Sequence, residues 1–113
     1  MRCVTVRKGR IAIEDIPNSL SAMQKLCEGY IQTIGIGGRI ILVCNEEGKL
    51  LGLEPTARIV DGAGELTDVI CGNFFICRIL GEEFTGLKKE DAVRIRDALI
   101  ILSASGLPVI QCK

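Results

Sequence analysis

Apolar and polar positions change period several times along this chain, and each change marks an element. Residues 2–6 and 10–14 alternate or run β-branched, as Cys3-Val4-Thr5-Val6 and then Ile11-Ala12-Ile13, around Arg7-Lys8-Gly9. That pattern predicts a hairpin. Pro17-Asn18-Ser19 gives a helix start, Leu20, Met23, Leu26 and Cys27 give an apolar stripe at three-four spacing, and Gly29 gives a stop, so a short helix should face a sheet. Tyr30 to Ile36 returns to a β pattern, Gly37-Gly38 turns the chain, and Arg39 to Cys44 is a nearly continuous apolar run of the kind expected in a central strand. Asn45 to Lys49 reads as a turn, Leu50 to Leu53 as a short extended piece, and Glu54 to Ile59 as an irregular or briefly helical link. After a further turn at Asp61-Gly62-Ala63-Gly64, Leu66 to Leu80 is β-rich, with a bend or bulge at Gly72-Asn73 and a core strand from Phe74.

Beyond Thr85 the period becomes helical from Leu87 to Ser103, with Ala92, Ile95, Leu99 and Leu102 on one side and charged residues over much of the rest. Its last two turns, Ala98-Leu99-Ile100-Ile101-Leu102, are apolar all round and need more cover than one sheet face supplies. The cover comes either from the Gly106 to Ile110 tail or from another subunit, so Leu99, Ile100, Ile101, Leu102, Leu107, Val109 and Ile110 form the candidate partner surface. The elements together predict an α+β fold, a mainly antiparallel sheet of about five to seven strands carrying one short and one long helix.

Composition narrows the functional classes. The chain has 113 residues, expected to form a single compact domain over 1–113; 48% are apolar and only 4% aromatic, so the interior is built from aliphatic residues and cysteine. Fourteen basic residues balance fourteen acidic ones, leaving no global field to draw the chain to nucleic acid or to an acidic membrane, and none to imitate a nucleic-acid backbone. Zero net charge on so apolar a chain also removes the usual electrostatic protection against self-association, which predicts a homo-oligomer.

There is no histidine, which removes Ser/His/Asp and Cys/His relays, HExxH sites and Cys/His zinc fingers. The six cysteines form no CxxC pair, and most sit among aliphatic neighbours, so they read as reduced core residues with no metal and no cofactor to hold. Met1-Arg2 runs straight into a strand-like pattern, so no signal peptide is expected, and Ala98 to Ile110 is too short and interrupted to span a bilayer. The expected location is the cytoplasm, away from the membrane.

Candidate chemistry is sparse. Gly35, Gly37 and Gly38 follow a strand, but the third fingerprint glycine is replaced by Ile40 and the segment leads into another strand, leaving no helix N-terminus for a pyrophosphate. The carboxylate pairs Glu14-Asp15, Glu46-Glu47, Glu82-Glu83 and Glu90-Asp91 fall at element ends or exposed faces, where solvation accounts for them, so an enzyme is not expected. A binding pocket needs less: Asn45, Arg58, Asn73 and Phe74 flank glycine turns and read either as ligand contacts or as turn-serving amides, a solvated arginine and a core phenylalanine. Arg2, Arg7, Lys8 and Arg10 read either as an anion-binding corner or as charges that protect an edge strand.

Three segments carry a resemblance: Asn45-Glu46-Glu47-Gly48-Lys49-Leu50-Leu51-Gly52-Leu53, Asp68-Val69-Ile70-x-Gly72-x-Phe74 and Phe84-Thr85-x-Leu87. Through them, and over residues 2–90, the chain resembles a small-domain family of unknown function carried by phages, prophages and conjugative elements, chiefly of Firmicutes and often near antirestriction-type genes. It departs from that pattern at Thr56, where the family pattern has Asn, and at Asn73, where it has a small Thr. The resemblance implies a mobile-element accessory protein that counters host defence. It would act as a non-enzymatic inhibitor docked on a host defence protein, in the anti-CRISPR or antirestriction manner. Alternatively it is an oligomeric sponge for a nucleotide immune signal, held by Arg58, Asn73 and the basic hairpin, or a structural or regulatory protein of the element.

Overall fold

The computed structural model describes residues 1–112. In chain order its elements are β1 (Arg2–Arg7), β2 (Arg10–Asp15), α1 (Leu20–Cys27), β3 (Ile31–Gly37), β4 (Ile40–Asn45), β5 (Pro55–Val60), β6 (Leu66–Cys71), β7 (Phe74–Leu80), β8 (Glu83–Thr85), α2 (Lys89–Ser103) and β9 (Val109–Gln111). The α+β class, the antiparallel bias and the pairing of one short with one long helix are as expected. The strands are divided between two sheets, however. A six-stranded sheet runs β2-β1-β7-β4-β3, with β8 folded back on β7, and a three-stranded sheet runs β6-β5-β9.

Strict alternation along β1, β4 and β7 gives the large sheet two buried faces. Val4, Val6, Leu42, Cys44, Phe74 and Ile76 point to one side, where Ala57, Ile59 and Ile70 of the small sheet, Ala92 and Leu99 of α2, and Ile110 of β9 cover them. Cys3, Ile41, Val43, Phe75 and Cys77 point to the other, against Met23, Leu26 and Cys27 of α1. Burial on both faces is why these central strands read as continuous apolar runs.

Local chemistry places the connections. The β1–β2 turn has Lys8 and Gly9 both at positive φ, 50° and 81°, the combination of a type I′ turn, whose twist matches the strands it joins. Ser19 caps α1, its Oγ accepting from the Ala22 N–H at 3.2 Å.

Three expectations are corrected. Leu50 to Leu53 is not extended: the Leu51 N–H donates to Glu47 O at 2.9 Å and the Leu53 N–H to Gly48 O at 3.0 Å, so the backbone coils on itself. Glu54 to Ile59 is no link. From Pro55 it is β5, with Ala57 and Ile59 inward and Arg58 outward, and Pro55 occupies the first strand position, where a missing N–H is tolerated. Thr85 does not lead directly into the long helix but pairs with Arg78 in β8, and α2 begins four residues later. The tail, expected only as cover, adds β9 in parallel to β5.

Candidate functional site

The C-terminal end of α1 meets the ends of β4 and β6 at one side of the molecule, and two buried asparagines hold it there. A helix end leaves its last carbonyls without partners. The Asn45 Nδ2 group donates to Cys27 O at 3.0 Å and to Glu28 O at 3.2 Å, while Asn73 Nδ2 donates to Leu26 O at 3.1 Å and to Glu28 Oε1 at 3.4 Å. Their oxygens are engaged as well: Asn45 Oδ1 accepts from the Glu47 N–H at 2.7 Å and Asn73 Oδ1 from the Lys8 N–H at 2.9 Å. Both amides are thus used by the backbone. The close approach at Asn45 requires Gly29, where a Cβ would stand 2.8 Å from Asn45 Nδ2.

Beside this junction lies a groove of about 660 Å³ between the β1–β2 turn, the start of β5, the β6–β7 bend and the loop after α2. Val6, Ile11, Leu53, Pro55, Leu107 and Pro108 give it apolar walls, and Lys8, Glu28, Glu54, Thr56, Asn73 and Ser103 give it polar groups. Its size and mixed lining are those of a small-molecule pocket. Thr56 and Asn73, the two positions set apart in the sequence, both line it, and the Thr56 hydroxyl donates to Gly72 O at 2.7 Å.

A second cleft, of about 340 Å³, lies between the Asn45–Leu50 loop and residues Asp68–Cys71. Here two of the segments singled out in the sequence pack on each other. A Cβ on Gly48 would fall 2.4 Å from the Cys71 carbonyl oxygen, and Lys49 forms an ion pair with Asp68, which raises the lysine pKa above its usual range. Burial pushes the Cys44 thiol of this cleft up and that of Cys27 to about 12, so neither is a ready nucleophile. No three metal-ligating side chains converge among the described residues.

The four candidate ligand residues are not brought together. Asn45 and Asn73 share the α1 junction, Phe74 is wholly buried in the core, and Arg58 lies on the exposed face of β5, with Nη2 donating to Leu107 O at 3.3 Å. In the basic hairpin, Arg7 pairs with Glu14 at 2.9 Å, Arg2 donates to Leu87 O at 3.3 Å, and Lys8 stands at the groove. Of the candidate partner surface, Leu99 and Ile110 are buried in this chain's own core, so they are corrected from contact to core residues. Leu107 is half-buried, whereas Ile100, Ile101, Leu102 and Val109 are exposed. The groove itself was not visible in the sequence, because its walls come from five segments remote along the chain.

Residues 1–100 match the family model described as "Domain of unknown function (DUF3846)". The chain belongs to the DUF3846 family. No curated protein and no solved structure matches it. The DUF3846 match takes in all of the large sheet, β5, β6, α1 and most of α2, and therefore the α1 junction and the cleft. It stops at Ile100, so Ile101, Leu102, Val109 and the groove wall at Leu107-Pro108 lie outside the matched DUF3846 span.

Proposed function

We propose that this DUF3846 protein is a non-enzymatic binding protein of a phage or other mobile element, one that inhibits a bacterial immune effector by direct contact. The observation that carries the reading is the apolar ridge at the C-terminal end of α2, where Ile100, Ile101 and Leu102 are 49%, 72% and 41% exposed. These three branched residues, fanned around the solvent side of the helix end, supply apolar surface of the kind a protein interface buries at its centre. A second copy of the chain would use the same ridge in a cytoplasmic homo-oligomer. The mobile-element and anti-defence context rests on the resemblance of the Asn45–Leu53, Asp68–Phe74 and Phe84–Leu87 segments. No helix among the described residues is long and apolar enough to cross a membrane.

The reading is tested by expressing the chain in bacteria carrying a nuclease-based defence, of restriction or CRISPR type, and plating phage. Plating efficiency should rise with the native chain and return to baseline with Ile101→Glu; no rise against either type of defence overturns it. The groove favours one second reading, sequestration of a nucleotide signal, with Lys8 as the cation available to a phosphate. Native mass spectrometry of the chain purified from defended cells would then show a retained small molecule.

A further inference from the structure

We propose that Cys3 and Cys77 form a cross-strand dithiol that oxidises to an intramolecular disulfide, a redox site on the centre line of the large sheet. The antiparallel register of β1 and β7 pairs Val6 with Phe74, Thr5 with Phe75 and Val4 with Ile76, so the next step sets Cys3 opposite Cys77. Both side chains belong to the core layer beneath α1, whereas Val4 and Ile76 point to the other layer, so the two sulfurs share a face.

Directly opposed residues on antiparallel strands have Cα atoms about 4.5–5.5 Å apart, inside the range of about 4.4–6.8 Å that a disulfide spans. The neighbouring Cys77 sulfur, and then burial, pushes the Cys3 thiol well above its ordinary value, and the Cys3 thiol donates to Met1 O at 3.6 Å. Among the described residues no other cysteine faces a cysteine across a strand pair: Cys44 stands opposite Gln32 and Phe74, and Cys71 opposite Pro55.

The oxidant is a low-molecular-weight disulfide such as glutathione disulfide. While the chain is folding and α1 does not yet cover the pair, the Cys77 thiolate attacks its S–S bond, forming a mixed disulfide and releasing one glutathione. Cys3 sulfur, giving up its proton, then attacks the Cys77 sulfur, closing the protein disulfide and expelling the second glutathione. Two protein thiols are oxidised and one glutathione disulfide is reduced to two thiols. The bond ties β1 to β7 and encloses every element between them.

Both sulfurs are buried, so the test must not depend on their exposure. The full chain is unfolded in denaturant, refolded by dilution into a buffer of reduced and oxidised glutathione, quenched with an alkylating agent and mapped by peptide mass spectrometry. The expected product is a linked peptide pair containing Cys3 and Cys77, lighter by two hydrogens than the separate peptides. A thermal midpoint higher than that of the reduced chain, and lost on adding dithiothreitol, should accompany it. Cys3→Ser should remove both the linkage and the shift. Recovery of the folded chain with Cys3 and Cys77 alkylated, with a glutathione adduct only on Cys112, or with a different pairing overturns the proposal. The wild-type map decides the question even if a cysteine variant does not fold.

Discussion

At the scale of single residues, the structure spends its buried polar groups on backbone ends. Asn73 is 9% exposed and bonds to Leu26 O and to the Lys8 N–H. Replacing it with alanine leaves the buried Leu26 carbonyl without that partner, at a cost of about 1–3 kcal/mol, while the Lys8 N–H of the exposed turn can turn to water. Asn73→Ala should therefore lower the unfolding free energy read from urea denaturation by an amount in that range, while Arg58→Ala, at an exposed position, should stay within about 0.5 kcal/mol of wild type. A ligand contact with no structural role would give no such contrast.

Glu14 answers a different question. Its carboxylate accepts from the buried Thr5 hydroxyl and from Arg7 Nε at 2.9 Å, and the threonine first, then the arginine, holds its pKa below the ordinary carboxylate value. A carboxylate depressed in the fold contributes its stabilisation in full above the unfolded value, about 4.3, and loses it as pH falls through the folded one. Stability of the native chain minus that of Glu14→Gln, measured by chemical denaturation, should be constant near neutrality and shrink below that value.

At the scale of elements, the fate of each segment follows from where its partners are. The β1–β2 hairpin, α1 and the β3–β4 hairpin are settled by neighbours in sequence, through a glycine turn, a Ser19 cap and period-two alternation, and were legible at once. β5 was not, because Thr56-Ala57-Arg58-Ile59 offers only two apolar positions, and the segment becomes a strand by pairing on one side with β6 and on the other with β9 from the far end of the chain. The candidate site was legible in part for the same reason. Asn45 and Asn73 could be marked as turn-flanking amides, but their common target, the carbonyl end of α1, is set by tertiary packing.

Gly48 and Gly35 separate the two kinds of glycine. Gly48 is pressed against β6, where a Cβ would overlap the Cys71 carbonyl oxygen, whereas a Cβ on Gly35 meets nothing within 4 Å. Gly48→Ala should cost about 1–3 kcal/mol by overpacking, and Gly35→Ala in β3 should be neutral or stabilise by about 0.5–1 kcal/mol. Thermal melts of the two variants side by side check this, and equal effects would mean that the loop does not pack on β6 as described.

At the scale of the molecule, charge and apolar surface have to be read together. Fourteen positive and fourteen negative charges cancel, so long-range steering contributes little to any encounter, and affinity must come from surface buried at contact. The all-apolar end of α2 is divided by the fold into two populations. Leu99 turns inward to meet the sheet, while Ile100, Ile101 and Leu102 remain outside, and the β9 tail that could have covered them lies along β5 instead. Because Ile101 contributes little to this chain's own core, Ile101→Glu should leave the unfolding free energy within about 0.5 kcal/mol of wild type. Leu99→Ala, at a side chain buried against the large sheet, should cost about 2–5 kcal/mol. In sedimentation velocity the native chain should show a species larger than a monomer that Ile101→Glu abolishes. If both sediment as monomers at every concentration, the ridge is not a self-contact, and its use rests on the phage-plating comparison of the same two proteins.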